Sequence, residues 1–379
     1  MKRLIIIMVS LVFFSGCSNI SAAELGDRLI IEAIGIDTSE DGFEITVLAL
    51  NTQQSGSANS TDTPDGVAKT YSAKGKTLAS AFAAIDLISG QIPLYSQARV
   101  IILGKELTQN APMTALNYFI REYTTRDDIL LAAAESTAKQ IININLGNNV
   151  LASKIIHSVL QSGSFNGMTV TMPMYKFISN LLNETDAAIL PIVKITKDEE
   201  TKTESIGIEG SLLFAAQNSN AVLDNEQTKG LLIANDKFDS GPIEIDYKGS
   251  KVSIAVQRCS TLITLLEKPE LKYTIDISLS CDIIEFNAPL HRELSMNDVE
   301  KLRMATENKI HSIVKNTIGK AVRENKCDIL SLGRMLKKKS TDSYNSAIKD
   351  YNSFLATIPI EIHTTAKITR MGKEILPLN

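Results

Sequence analysis

The sequence predicts an α+β protein of three domains, in which mixed and antiparallel sheets pack against helices. Segments with apolar residues at helical spacing alternate with short runs of β-forming residues over the first half of the chain. In the last third, apolar and polar residues alternate with a period of two on either side of one long helical pattern. The length agrees, because 379 residues exceed the roughly 100 to 200 residues of one typical domain.

The composition is that of a globular protein, and the balance of acidic and basic residues bears on whether the protein binds nucleic acid. The chain is 44% hydrophobic and 22% charged, and 39 basic residues against 43 acidic ones give a formal net charge of −4. Proteins that bind nucleic acid hold its phosphates with an excess of Lys and Arg. The acidic balance therefore argues against a nucleic-acid partner.

The N-terminus has the pattern of a lipoprotein signal peptide over residues 1–16. Two basic residues, Lys2 and Arg3, precede an apolar run of about 11 residues, which is shorter than the roughly 20 needed to span a membrane. The run ends in Phe14-Ser15-Gly16-Cys17, which resembles the bacterial lipobox, so we predict that Cys17 carries a diacylglycerol. Two acyl chains anchor a protein durably, and the rest of the chain should lie outside the cytoplasmic membrane. The alternative is an ordinary signal peptide with an incidental cysteine.

The N-terminal α+β domain is predicted to span residues 17–204. It begins with a strand, a turn and a second strand over residues 29–50. Residues 52–66 are predicted to form a disordered loop, because this segment is too polar to offset the entropy of ordering it. Further helices are predicted to begin at Thr77 and at a capping box formed by Thr137 and Gln140, and to cover residues 113–122, 150–161 and 174–182. Further strands are predicted over residues 99–103, 129–134 and 188–196.

A charged run over residues 197–204 marks the predicted end of this domain. A small middle domain, 205–245, follows, with a strand over 205–215, a helix opened by a capping box at Asp224 and Gln227, and a turn at Gly241-Pro242.

The C-terminal α+β domain is predicted over residues 246–379. Alternation over 251–266 and 271–286 predicts a long antiparallel hairpin. Ser295 is predicted to open the longest helix of the chain. Shorter helical patterns over 328–338 and 344–355 precede a terminal strand that ends at Arg370.

No motif in the chain specifies catalysis or a metal site. Gly75-Lys76-Thr77 looks like the end of a phosphate-binding loop, but Thr70 stands where the motif needs a glycine, so a turn and a helix cap are predicted instead. The segment from Asp37 begins like a calcium loop, yet Leu48 occupies the position of its closing glutamate. The four histidines have no metal-binding spacing. No cofactor is predicted, and an enzyme is disfavoured.

The three cysteines that follow Cys17 are an odd number and contain no C-x-x-C motif. They are Cys259, Cys281 and Cys327. Buried thiols without disulfides are the simpler interpretation, although Cys259 and Cys281 lie on neighbouring predicted strands and could pair.

Several segments together resemble the Ger(x)C family, the C-subunit lipoproteins of the nutrient germinant receptors of endospore-forming bacteria. Their order and spacing over nearly the whole chain carry the resemblance. They are Cys17, ELGDR at 24–28, AIGID at 33–37, KGKTL at 74–78, RVIILGKEL at 99–107, GSLLF at 210–214, DNEQTKGLL at 224–232, CDILSLG at 327–333 and KITRMG at 367–372.

This resemblance implies a lipid-anchored, non-enzymatic subunit on the outer face of the inner spore membrane, with three α+β domains of which the middle one is small. Its partners would be a polytopic A subunit and a transporter-like B subunit in a complex that responds to small nutrients. A direct contact of this subunit with the nutrient is not implied. Two alternatives from other classes are a solute-binding lipoprotein of an importer, which would have two lobes around a pocket, and an envelope hydrolase, which would need a nucleophile and a base assembled by the fold.

Overall fold

The computed structural model describes residues 28–50, 68–110, 112–121, 125–147, 150–215, 220–286, 295–371 and 374–375. Within these residues the chain forms two mixed β-sheets with helices packed against them, which confirms the predicted α+β class. The predicted signal peptide, Cys17 and the predicted loop 52–66 lie outside the described residues.

The first sheet contains nine strands within the described part of the chain. They are β1 (Arg28–Ser39), β2 (Gly42–Leu50), β3 (Ala68–Gly75), β4 (Ile92–Leu94), β5 (Val100–Leu103), β6 (Leu130–Ala134), β7 (Ala188–Lys197), β8 (Glu204–Phe214) and β9 (Asn220–Leu223). Their order is β3-β2-β1-β5-β6-β7-β8-β9, and β4 also pairs with β1. The strands β1, β5, β6 and β7 run parallel. Central strands β5 and β6 are buried at every position, as uninterrupted apolar runs require.

One end of the first sheet brings together three parts of the chain. Arg28, where β1 begins, is paired with Ile92 at the start of β4. On the other side of β1, Ile30 is paired with Leu50, the last residue of β2. The described chain therefore begins beside β4.

Six helices accompany this sheet in the described N-terminal half. They are α1 (Leu78–Ser89), α2 (Lys105–Asn110), α3 (Pro112–Arg121), α4 (Ala138–Ile142), α5 (Ala152–Phe165) and α6 (Met174–Leu181). Thr77 caps α1, since its hydroxyl accepts from the Ser80 N–H at 3.1 Å. At α4, Thr137 likewise accepts from the Gln140 N–H, but the predicted return bond from the Gln140 side chain does not form.

The second sheet has the order β10-β11-β12-β13-β14. Its strands are β10 (Gly241–Tyr247), β11 (Ser250–Leu266), β12 (Lys272–Phe286), β13 (Ile360–Met371) and β14 (Glu374–Ile375), and the helices are α7 (Asn225–Ala234), α8 (Met296–Ile318), α9 (Leu332–Lys339), α10 (Thr341–Ala347) and α11 (Tyr351–Thr357). The predicted long hairpin is β11 with β12, the long helix is α8, and the terminal strand is β13, which runs parallel to β12.

The capping boxes that open α7 and α8 both form. Asp224 and Gln227 exchange hydrogen bonds at the start of α7, as predicted. Ser295 and Asp298 do the same at the start of α8. Both helices therefore begin where the local sequence satisfies their first N–H groups.

Three predicted details of the second half are wrong. Gly241-Pro242 is the start of edge strand β10 rather than a turn, a position where a strand tolerates proline. The helix predicted from residue 328 begins only at Leu332, because the Asp328 carboxylate binds the N–H groups of the loop. The pattern over 344–355 is two helices, α10 and α11, separated by a 3₁₀ turn over Ile348–Asp350.

The larger hydrophobic core is continuous from the first sheet to the second. A smaller core lies on the opposite face of the first sheet, under α4 and α5. The predicted three-domain division stays a prediction. Its first boundary, after residue 204, falls at the start of β8, which is hydrogen-bonded to β7.

Candidate functional site at the junction of the two sheets

A buried carboxylate, Asp328, organises the loop that precedes α9. Asp328 as a whole residue is only 2% exposed to solvent. Oδ1 accepts from the N–H groups of Leu330 (3.2 Å) and Leu332 (3.0 Å), and Oδ2 accepts from the N–H of Gly333 (3.0 Å) and the hydroxyl of Tyr351 (2.6 Å). Four donors thus converge on one side chain, which is how a buried charge is tolerated.

The backbone of this loop has little freedom to rearrange. Ser331 adopts a left-handed conformation with φ 56°. A Cβ on Gly333 would lie 2.6 Å from both the Thr185 Cβ and the Tyr351 hydroxyl oxygen. The hydroxyl of Tyr273, on β12, donates to the Leu332 carbonyl at 2.7 Å. The loop is therefore held by Thr185 and Tyr351 at Gly333 and by Tyr273 at Leu332.

The same loop joins the second half of the chain to the first sheet. The Ala187 N–H, just before β7, donates to the Asp328 carbonyl oxygen at 3.0 Å. Asp186 forms an ion pair with Arg334 on α9. The second carboxylate oxygen of Asp186, Oδ1, is buried and has no hydrogen-bond partner among the described residues.

Burial controls the ionisation of the groups in this cluster. It raises the pKa of Asp328, whereas the hydrogen bonds from Tyr351, Gly333 and Leu332 act in the opposite direction. Burial and the neighbouring Asp328 carboxylate both raise the pKa of Tyr351. Tyr351 therefore keeps its proton at neutral pH and serves as a permanent donor to Asp328.

A cleft of about 450 Å³ lies beside the cluster and is lined by charged side chains. Lys176, Lys237 and Arg334 line it together with Asp236 and Asp239. Desolvation and the positive charges of Lys237 and Arg334 lower the pKa of Lys176.

Neither Lys176 nor Lys237 forms an ion pair with another residue in the described part of the chain. Arg334, by contrast, is paired with Asp186. Together with the Asp236 and Asp239 carboxylates, these two lysines give the cleft a lining with charges of both signs.

A second buried carboxylate, Asp37, explains the segment that begins like a calcium loop. It accepts from the N–H groups of Ala138 (2.8 Å) and Lys139 (2.9 Å), the first residues of α4. A Cβ on Gly104 would lie 2.1 Å from Asp37 Oδ1, so only glycine fits there. Burial raises the pKa of Asp37 and those two hydrogen bonds oppose the rise. Asp37 thus has a structural role between β1 and α4.

Replacing Asp37 with alanine should lower the free energy of unfolding by about 1–2 kcal/mol, because two N–H groups at the start of α4 lose their acceptor. Urea denaturation followed by circular dichroism measures the change. Asp41→Ala, in the exposed turn between β1 and β2, is the matched control and should stay within about 0.5 kcal/mol of the wild type. Equal effects of the two substitutions would contradict the role given to Asp37.

The remaining residues considered from the sequence do not assemble into a site. Cys259, Cys281 and Cys327 are buried, and none forms a disulfide with another described cysteine. Burial raises the pKa of Cys259 and Cys281 to about 12. Three histidines lie on separate elements, α5, α8 and β13, and the fourth is outside the described residues. No group of three or more His, Cys, Asp or Glu side chains within the described ranges could hold a metal ion.

The sequence pointed to part of the junction and missed the rest. Asp328 lies in the quoted segment CDILSLG, and Arg334 follows that segment directly. Asp186, Lys176 and Lys237 carry no local signal, because their importance comes from contacts with residues far away in the chain.

The described helices include none that is both long and apolar enough to cross a membrane.

Two models of spore germination families match successive parts of the chain. A model described as the spore germination protein N-terminal domain matches residues 21–195. A second, described as spore germination B3/GerAC-like, C-terminal, matches residues 209–372. Comparison with curated proteins gave no match.

A solved structure described as "Crystal Structure of the GerBC protein" has a similar fold. The TM-score is 0.53 and the sequence identity 18%, over 88% of this chain and 96% of that one. At this identity the similarity concerns the fold alone.

Proposed function

This chain belongs to the GerAC-like family of spore germination proteins, and on that premise we propose that it is the C subunit of a nutrient germinant receptor. It acts without catalysis, assembles with a polytopic A subunit and a transporter-like B subunit, and helps to transmit the nutrient signal. A diacylglycerol on Cys17 anchors it to the outer face of the inner spore membrane.

The observation that supports this proposal most strongly is the order of the two matched family segments, which together extend from residue 21 to residue 372. The first match begins just after Cys17, the position at which lipobox processing would start the mature chain. The alternative is a solute-binding lipoprotein of an importer.

The junction between the sheets supports a transmitting role. Asp328 and Arg334 connect the loop before α9 to the segment before β7, which gives the two halves of the chain a direct physical link of the kind that a transmitting subunit needs.

The decisive experiment is purification of the tagged protein from dormant-spore membranes after mild cross-linking, with mass spectrometry of the partners and of the Cys17 peptide. We expect a polytopic subunit, a transporter-like subunit and a diacylated Cys17. Recovery of an ATP-driven importer would favour the solute-binding alternative. Recovery of no membrane partner would contradict the proposal.

Cys17→Ala should release the protein from the membrane fraction of spores and reduce the nutrient response by at least about tenfold, because a chain without its two acyl groups loses its membrane tether. Fractionation and the loss of optical density after nutrient addition measure the two effects. Asn19→Ala, which leaves the lipobox intact, is the matched control. A wild-type nutrient response from the Cys17→Ala protein would contradict the need for the tether, and a wild-type Cys17 peptide without diacylglycerol would refute the anchor.

A further inference from the structure

Helix α1 lies on the surface of the protein and exposes two large apolar side chains near its C-terminal end. Leu78, Phe82 and Ile85 are buried against the first sheet. On the outward side, Leu87 is 86% exposed and Ile88 is 58% exposed. Asp86 is the only charged residue in α1. A surface helix normally turns a polar face to water, so an outward apolar face indicates that something covers it.

The exposed apolar surface continues past the end of the helix. Gly90 ends α1 in a left-handed conformation with φ 67° and turns the chain into β4. Ile92, the first residue of β4, is 52% exposed. Leu87, Ile88 and Ile92 form what we call the apolar tip.

The apolar tip lies where the described chain begins. Ile92 is paired with Arg28 across neighbouring strands, which lie about 5 Å apart. Arg28 follows Cys17 by eleven residues, a length of chain that can span at most about 40 Å. A lipid on Cys17 therefore keeps this end of the first sheet within about 40 Å of the membrane, whatever path the intervening residues take.

We propose that the apolar tip inserts into the boundary between the headgroups and acyl chains of the lipid bilayer, as a second membrane contact beside the lipid on Cys17. This inference rests on the lipid anchor of the proposed function. The bilayer is the occupant that the position of the tip favours, since the tether brings the tip to the membrane and aliphatic side chains gain by leaving water there. Two contacts at one end would hold the first sheet in a fixed orientation on the membrane.

The absence of tryptophan from the whole sequence makes a direct test possible. In the chain from Cys17 onward, Leu87→Trp supplies a single fluorescent reporter at the apolar tip. Leu262→Trp, at a β11 position that is 65% exposed in the wild type, is the matched control. A maleimide lipid in vesicles of phosphatidylcholine and phosphatidylglycerol captures the protein through Cys17, since the other three thiols are buried.

We expect the emission of Leu87→Trp to shift to shorter wavelength and to lose roughly half its intensity when the phosphatidylcholine is brominated, because bromine quenches only a tryptophan within the bilayer. The emission of Leu262→Trp should not change. Identical behaviour of the two variants would overturn the proposal. A blue shift without quenching would overturn it as well, because it would mean that a second copy of the protein covers the tip.

This test is independent of natural lipidation, because the tether is formed chemically. A failure of the proposed anchor appears in the mass spectrum of Cys17 from spores, whereas a failure of the apolar tip appears in the vesicle fluorescence. Circular dichroism confirms that both variants are folded, which is expected because both positions are exposed.

Discussion

Replacing Asp328 with alanine should lower the free energy of unfolding by about 3–5 kcal/mol, the largest effect that we expect from a single side chain in this protein. The substitution leaves the N–H groups of Leu330, Leu332 and Gly333 and the hydroxyl of Tyr351 without their acceptor in a buried site. Each such group then bears the cost of lost solvation. Urea denaturation at pH 7, followed by circular dichroism, measures the change.

Asp246→Ala is the matched control for Asp328→Ala. Asp246 forms an ion pair with Lys251 between β10 and β11, and both side chains are exposed. Removing an exposed pair costs less than about 1 kcal/mol. If Asp328→Ala were as mild as Asp246→Ala, the loop before α9 would have to be held by other contacts.

Replacing Gly230 with alanine should destabilise the protein by about 1–3 kcal/mol, the reverse of what helix propensity predicts. Gly230 lies inside α7, where propensity alone would favour alanine by roughly 1 kcal/mol. A Cβ at this position would lie 2.2 Å from Thr317 Oγ1 and 3.0 Å from the Ile313 carbonyl oxygen, both on α8. The clash would push the two helices apart, so packing outweighs propensity. Thermal and urea denaturation report the sign.

Gly319, in the same helix pair, is a position where alanine should stabilise the protein. It directly follows α8 in a helical conformation, and a Cβ there meets nothing within 4 Å. Gly319→Ala should therefore raise the stability by about 0.4–1 kcal/mol. If Gly230→Ala were also stabilising, α7 and α8 would not be in close contact at Gly230.

The elements that the sequence predicts well are those whose signals are local. Thr77, Asp224 and Ser295 cap helices as expected, because a capping bond joins residues only three apart. The prediction of the long hairpin is confirmed, because apolar and polar residues alternate along both of its strands. The missed strands β3, β4, β9 and β10 are short or partly polar, and they are strands because a neighbouring strand pairs with them.

The candidate site was predictable only in part for the same reason. The predicted lipobox at Cys17 is a local pattern, so the sequence alone suggests it. The junction depends on partners far apart in the chain, since the ion pair of Asp186 with Arg334 joins residues separated by 148 positions. The spacing of residues in the sequence does not predict contacts of this kind.

The pairing of β7 with β8 has a consequence for any attempt to study the two matched segments as fragments. The first family segment ends within β7, and the second begins within β8, so a cut between them would separate hydrogen-bonded neighbours of one sheet. The first piece would end in a bare, largely buried strand, and such an edge is a template for aggregation. The two segments share one sheet, and a cut that keeps this sheet whole would have to lie beyond β9.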